Sequence, residues 1–256
     1  MKNMKRLLGL LIVLGAASAT AQVPSGPFSY VFTNKPLWDV SGSYTNDSSS
    51  NGVSDHAIMV ITHTAKGQIT GSRTDEITEG LNSADAIGTL TGKVSVRAGV
   101  PTATLNERGT LTGLHSGVSY TGTVVGKATA TVDPLALTIN SVASERLCAH
   151  GGRCVTDSGD ETYDLPAGMT GDWTLDTAIT NAATRLSGTG TLTLSNGRVL
   201  TYKITGSYIA RTAVAKLKLI GQSDAVGTSL SLTTHGLAMD LTRLTGKVLG
   251  QKPTLP

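Results

Sequence analysis

Apolar and polar residues alternate along most of the chain. In RLSGTGTLTLS, residues 185–195, Leu186, Gly188, Gly190, Leu192 and Leu194 share one parity, and Ser187, Thr189, Thr191 and Thr193 share the other. A period of two with one apolar side predicts a half-buried strand, hydroxyl side to water. RVLTYKITGSY, 198–208, repeats the pattern, with Leu200, Tyr202, Ile204 and Gly206 on one face and Thr201, Lys203 and Thr205 on the other. SNGR lies between the two, and Asn196-Gly197 at its centre predicts a tight type I′ hairpin, since both residue types tolerate positive φ.

The same reading extends downstream to TAVAKLKLIG, TSLSLTT and LAMDLTRLTGKVL. Upstream it takes in LWDVSGSYT, HAIMVITHT, QITGSRTDEI, GTLTGKVSV, TATLNERGTLTG, SYTGTVVGKATATV and LALTINSV. Outside the first twenty residues, no stretch carries an apolar period of 3.6. Thr, Val and Ile, which recur throughout, favour strands over helices. The predicted fold is all-β: an antiparallel, barrel-like meander. Glycines on the inward parity suit strong coiling and bulges.

Two interruptions set the predicted organisation. NDSSSNGVSDH, 46–56, reads as a flexible loop. The stretch 144–170 carries both cysteines, an acidic cluster and Pro166, and reads as a long surface connection. The expected division is a leader at 1–21, an N-terminal β unit at 22–143, a disulfide-bearing loop at 144–170 and a C-terminal β unit at 171–256. An internal duplication is hinted at. Trp38 precedes Ile69 by the same 31 positions that separate Trp173 from Ile204, and each Ile opens an ITGS tetrapeptide. LTGKV also recurs, at 90–94 and 244–248, with a different offset. The two tryptophans are expected to plug one β unit each.

Composition narrows the function classes. The opening MKNMKRLLGLLIVLGAASATAQ has a basic head, a short apolar run and Ala19-Thr20-Ala21 at a signal-peptidase position. It predicts export to the periplasm, cell surface or exterior. No later segment reaches the apolar length of a transmembrane helix. The formal charge is +3, partly contributed by Lys2, Lys5 and Arg6 of the leader. The rest is close to neutral with scattered cations, which argues against nucleic acid as a partner. Aromatic residues are 4% of the chain, too few for sugar platforms or the girdles of an outer-membrane barrel.

Candidate chemistry concentrates at CAHGGRC, 148–154. Two cysteines in an exported chain predict a Cys148–Cys154 disulfide, with Gly151-Gly152 turning the short loop. Metal binding would need free thiolates and further ligands, and this spacing matches no usual zinc site. Nor is there the C-x-x-C of a redox site. Asp157, Asp160, Glu161 and Asp164 follow and are calcium candidates, although their spacing departs from the EF-hand loop. Ser116 has His115 beside it but lacks the glycine two residues before it that a nucleophile elbow needs. His56 and His63 fall on opposite strand parities. No catalytic set and no cofactor motif emerge, and the ligand-binding residues stay open. Gly171-Asp172-Trp173 matches the G-x-W that opens lipocalin-type barrels over three residues only, too few for a family resemblance.

The expected role is non-enzymatic, in binding or structure, with open sheet edges engaging a protein partner by strand addition. A carrier holding a small apolar ligand in a barrel cavity is the alternative. A secreted hydrolase without a recognisable motif is the second.

Overall fold

The computed structural model describes residues 22–255 apart from 134, 137 and 153, together with all but the side chains of 34 and 35. The leader at 1–21 lies outside the described residues. The fold is all-β, and the described residues form fifteen strands in two antiparallel sheets. The strands are β1 (Gly26–Trp38), β2 (Gly42–Ser50), β3 (Val53–His63), β4 (Gln68–Glu79), β5 (Asn82–Arg97), β6 (Val100–His115), β7 (Val118–Asp133) and β8 (Thr138–Ala149). There follow β9 (Cys154–Asp164), β10 (Thr170–Ala182), β11 (Arg185–Thr193), β12 (Val199–Ile209), β13 (Val214–Gln222), β14 (Ser229–His235) and β15 (Asp240–Gly246).

β2 to β9 form an eight-stranded meander curled into a half-barrel, and β1 with β10 to β15 form a nearly closed seven-stranded barrel. β1 thus belongs with the C-terminal strands, because Gly26–Phe32 pair with Trp173–Ile179. Tyr30 OH donates to the Met239 carbonyl (3.0 Å), drawing β1 towards the β14–β15 turn and nearly closing the barrel.

The barrel interior is filled. Trp173, Leu175, Leu192, Leu200, Ile204 and Leu219 are all fully buried at its centre. Full burial of such side chains contributes roughly 1.5–3 kcal/mol each. A second core, with Trp38, Tyr44, Ile61, Ile69, Leu105 and Ile139, fills the half-barrel end nearest the barrel. Each tryptophan plugs one unit, as expected, and each ITGS isoleucine is buried in its own core.

Three readings change. The stretch 144–170 is largely the paired strands β8 and β9, not a connection, and the disulfide staples their hairpin within the half-barrel. LALTINSV marks the start of β8, but the rest of β8 and all of β9 escape the alternation because their inward residues at the open end are Glu145 and Glu161 rather than aliphatics. The supposed loop at 46–56 is the β2–β3 hairpin, which turns at Asn51-Gly52 with positive φ at both residues (53° and 80°). This is the type I′ geometry that had been expected at 196–197. There only Gly197 has positive φ, and Gly197 N donates to the Leu194 carbonyl (2.9 Å) in a longer turn. Asn196 is drawn away by other partners. Its Nδ2 donates to Asp39 Oδ2 (3.1 Å) and its Oδ1 accepts from Arg198 N (3.1 Å).

These contacts are part of the joint between the sheets. Asp39, fully buried, also accepts from Ser41 Oγ (2.8 Å) and from Arg198 Nη1 (3.3 Å), which in turn reaches the His63 carbonyl (2.6 Å). Leu249 N donates to the Ala65 carbonyl (2.7 Å). Gly67, at φ +87°, lies so close to Gly250 that a Cβ there would meet its Cα at 2.8 Å. No helix among the described residues is long and apolar enough to cross a membrane.

Candidate functional site

The half-barrel interior changes character along its strands. On β4 the inward parity runs Ile69, Gly71, Arg73, Asp75, Ile77. On β6 it places Glu107 between Leu105 and Leu111, and on β8 it runs from Ile139 through Ser141 to Glu145. Near the barrel these positions are apolar. Towards the other end they converge on one guanidinium.

Arg73 is only 7% exposed. Its Nη2 donates to Asp75 Oδ2 (2.8 Å) and Glu161 Oε1 (2.9 Å), and its Nη1 contacts Glu145 Oε1 and lies 3.5 Å from Glu107 Oε2. Tyr163 OH donates to Glu161 Oε2. Room for this cluster comes from missing side chains: a Cβ at Gly88 would meet Glu107 Oε1 at 2.1 Å and Cγ at 2.7 Å.

Carboxylates outnumber cations here, and ionisation responds. Burial alone would lower the Arg73 pKa, but Glu145, Glu161 and Asp75 outweigh it and hold the guanidinium charged. Burial pushes Asp75 up to about 7, aided by a hydrogen bond with Asp55 and opposed by Arg73. That bond requires one of the two acids to keep a proton. Burial also raises Glu107 against the pull of Arg73, and raises Tyr163 with help from Glu161. Polar groups with shifted ionisation gathered in a recess mark a candidate site.

The recess is a cleft of about 350 Å³ between Asn46 and Ser48 of β2, Asp55 of β3, Arg73 and Asp75 of β4, Glu145 of β8 and residues 157–162 of β9. β2 and β9 are the two free edges of the sheet. They approach within 8 Å, Cα to Cα, without pairing. A separate apolar recess, lined by Val40, Tyr44, Ile61, Ala103 and Val132, measures about 30 Å³, room for roughly one water.

The residues singled out in the sequence are distributed as follows. Cys148 and Cys154 are bonded, with a Cα–Cα separation of 4.1 Å. Of the four calcium candidates, Glu161 turns inward to Arg73, Asp157 and Asp160 are exposed and line the same cleft, and Asp164 is exposed and does not line it. No group of three or more His, Cys, Asp or Glu among the described residues is arranged to hold a metal ion. His56 is exposed and pairs with Asp47, and His63 is fully buried at the joint, so they diverge as parity requires. His115, His150 and His235 are exposed, and Arg153 lies outside the described residues.

Sequence reasoning passed over Arg73, Asp75, Glu107 and Glu145. For Arg73, Asp75 and Glu107 the signal was present in QITGSRTDEI and TATLNERGTLTG, as charges on the parity that carries Ile69 and Ile77 in the one and Leu105 and Leu111 in the other. No protein-family model, curated protein or solved structure matches the chain.

Proposed function

We propose that this is an exported, non-enzymatic binding protein in which the seven-stranded barrel is a scaffold and the eight-stranded half-barrel receives the ligand, at the open seam between β2 and β9. The observation that carries the reading is the contrast of interiors. The barrel is packed with fully buried aliphatic and aromatic side chains, while the half-barrel opens into a polar cleft bounded by two unpaired strand edges. Unpaired edges offer backbone donors and acceptors to a partner. The leader-like N-terminus and the Cys148–Cys154 disulfide support export, since disulfides persist in oxidising compartments. The apolar recess holds roughly one water, against the several hundred Å³ that ligand pockets usually enclose, so support for an apolar cargo is weaker.

The test is to map binding by amide chemical shifts while screening a mixed fragment library of cations, anions and apolar probes. Hits are expected on β2, β3, β4, β8 and β9, with the Trp173 indole signal unmoved. A fatty acid that shifts Trp173 and leaves the seam untouched would replace this reading with that of a barrel carrier.

A further inference from the structure

The joint between the sheets holds an arginine that is anchored on one side and open on the other. Arg198, in the turn between β11 and β12, directs every hydrogen bond of its guanidinium through Nη1: to Asp39 Oδ2 (3.3 Å), Ser41 Oγ (3.2 Å) and the His63 carbonyl (2.6 Å). Nη2 and Nε have no acceptor among the described residues. Nor are they sealed in: the side-chain atoms buried without a partner include Arg73 Nε but neither of these two. Nη2 and Nε lie side by side on one edge of the guanidinium plane. Together they form a planar fork that matches the two oxygens of a carboxylate. The three bonds through Nη1 hold that fork in place, so little freedom is lost when a ligand takes it.

Asp39 does not use up the charge. Its Oδ1 accepts from Ser41 N (3.0 Å) and Ser41 Oγ (2.8 Å), and its Oδ2 accepts from Asn196 Nδ2 (3.1 Å) as well as from Arg198. Uncharged donors thus carry most of its hydrogen bonding. Arg198 also lines a cleft of about 390 Å³ whose walls come from both sheets: Ser41, Thr62 and Thr64 on one side, and Asp224, in the short turn between β13 and β14, beside Arg198 on the other. Two hydroxyls of this cleft can still donate. Thr64 Oγ1 accepts from Gln68 N (3.1 Å), which leaves its own proton available, and Thr62 is exposed with no side-chain partner among the described residues.

We propose that this cleft binds a carboxylate, held bidentate by Nε and Nη2 of Arg198, with the hydroxyls of Thr62 and Thr64 donating to its oxygens. The charges nearby select a monoanion. Asp39 and Asp224 balance Arg198 and Lys66, which lies against Gly227 in the same turn as Asp224, so there is no excess cation to offset the second charge of a phosphate. The carboxylate can belong to a free small acid or to the C-terminus of a peptide, since the fork reads the same group in both. The site lies at the opposite end of β3 from Asp55 and the seam, and it goes beyond the seam reading without resting on it.

The test is an NMR titration of the full mature chain that follows the Arg198 Nε–H signal. The probes are butyrate, its neutral isostere butyramide, phosphate, and the peptide acetyl-Gly-Ala-Val as the free acid and as the amide. Butyrate is expected to move the Arg198 signal, with butyramide at least about fivefold weaker, as for loss of a charge-assisted contact. Arg198→Lys keeps the charge and removes the fork, and should weaken butyrate by about tenfold. Thr62→Val should weaken it by about fivefold, the loss of one hydrogen bond. Asp224→Asn should tighten it by about twofold or more, because a like charge leaves an exposed wall. Arg198 also holds the joint, so where Arg198→Lys disturbs folding, the exposed changes Thr62→Val and Asp224→Asn carry the test.

Binding of the peptide acid at least as tightly as butyrate, with its amide inactive, identifies a chain terminus as the source. Binding of butyrate with the peptide acid excluded identifies a small acid. The proposal is overturned if butyrate leaves the Arg198 signal unmoved, if butyramide moves it at the same concentrations, if phosphate binds more tightly than butyrate, or if Asp224→Asn weakens butyrate. None of these outcomes touches the reading of the seam, whose signals lie on β2 and β9.

Discussion

The two sheets share one surface pattern and differ inside. Both turn Thr, Ser and Lys outward on alternate positions. In the barrel the facing set is almost wholly apolar, and among the described residues its buried polar side chains include Thr177, Thr228 and Thr234 but no charged residue. In the half-barrel the facing set ends in Arg73, Asp75 and Glu107, all less than 9% exposed. The barrel therefore follows the cavity physics of a packed core. The half-barrel follows the electrostatics of a buried ionic cluster, where removing one partner costs more than the cluster itself contributes. A fold can tolerate such a cluster at an open end, where water reaches the outer carboxylates.

The contrast breaks most sharply at Arg73. Arg73→Met leaves Asp75, Glu107, Glu145 and Glu161 without their cation and should cost about 3–5 kcal/mol in urea unfolding. The loss should appear in the half-barrel while Trp173 fluorescence stays native. An unchanged unfolding curve would mean that the acids are adequately solvated without it. The matching change in the barrel is Leu219→Ala, a fully buried site, with about 2–5 kcal/mol expected from transfer and cavity terms together. Here Trp173 should report first.

pH separates the regions by sign. Burial holds His63 neutral, with its pKa pushed down to about 4; Asp39 opposes this and Arg198 reinforces it. The unfolded chain then binds a proton more readily, so this contribution is complete above pH 6.5 and is lost as pH falls towards 4, on the order of 3 kcal/mol. Asp75 runs the other way. Its folded pKa lies above the unfolded value, so its contribution is complete below 3.8 and is lost as pH rises through about 7. Because the two contributions oppose each other between pH 7 and 4, His63→Leu should tilt the stability curve towards greater stability at the acid side of that window, and Asp75→Asn should tilt it the other way. Parallel stability curves for wild type and His63→Leu would remove the joint from this account.

The smallest effect belongs to the staple. Cys148→Ser with Cys154→Ser opens a seven-residue loop at a hairpin tip and should cost about 2 kcal/mol or less, localised to β8 and β9 by hydrogen exchange. Destabilisation of the barrel to the same degree would show that the sheets unfold as one unit.

How far the sequence could be read follows from what each strand faces. β11 and β12 were plain because leucine, isoleucine and tyrosine recur on one parity and hydroxyls on the other. β9 was opaque: Val155, Asp157, Gly159, Glu161 and Tyr163 share its inward parity, and only Tyr163 is buried. A strand facing a charged interior loses the apolar signature by which strands are recognised. Asn196-Gly197 misled for a related reason, since the Asn196 side chain is claimed by Asp39, a residue distant in sequence.

The sequence by itself determined the all-β class, the antiparallel meander, the pairing of the two cysteines and the placement of one tryptophan in each core. Those follow from local period and composition, which act within a few residues. Tertiary structure alone decided that β1 joins the C-terminal sheet, that β2 and β9 remain unpaired across a cleft, and that charges from four strands gather around Arg73. These depend on sheet curvature and long-range register, which bring together residues as distant in sequence as Gly26 and Ile179 and leave no trace in any one strand's alternation.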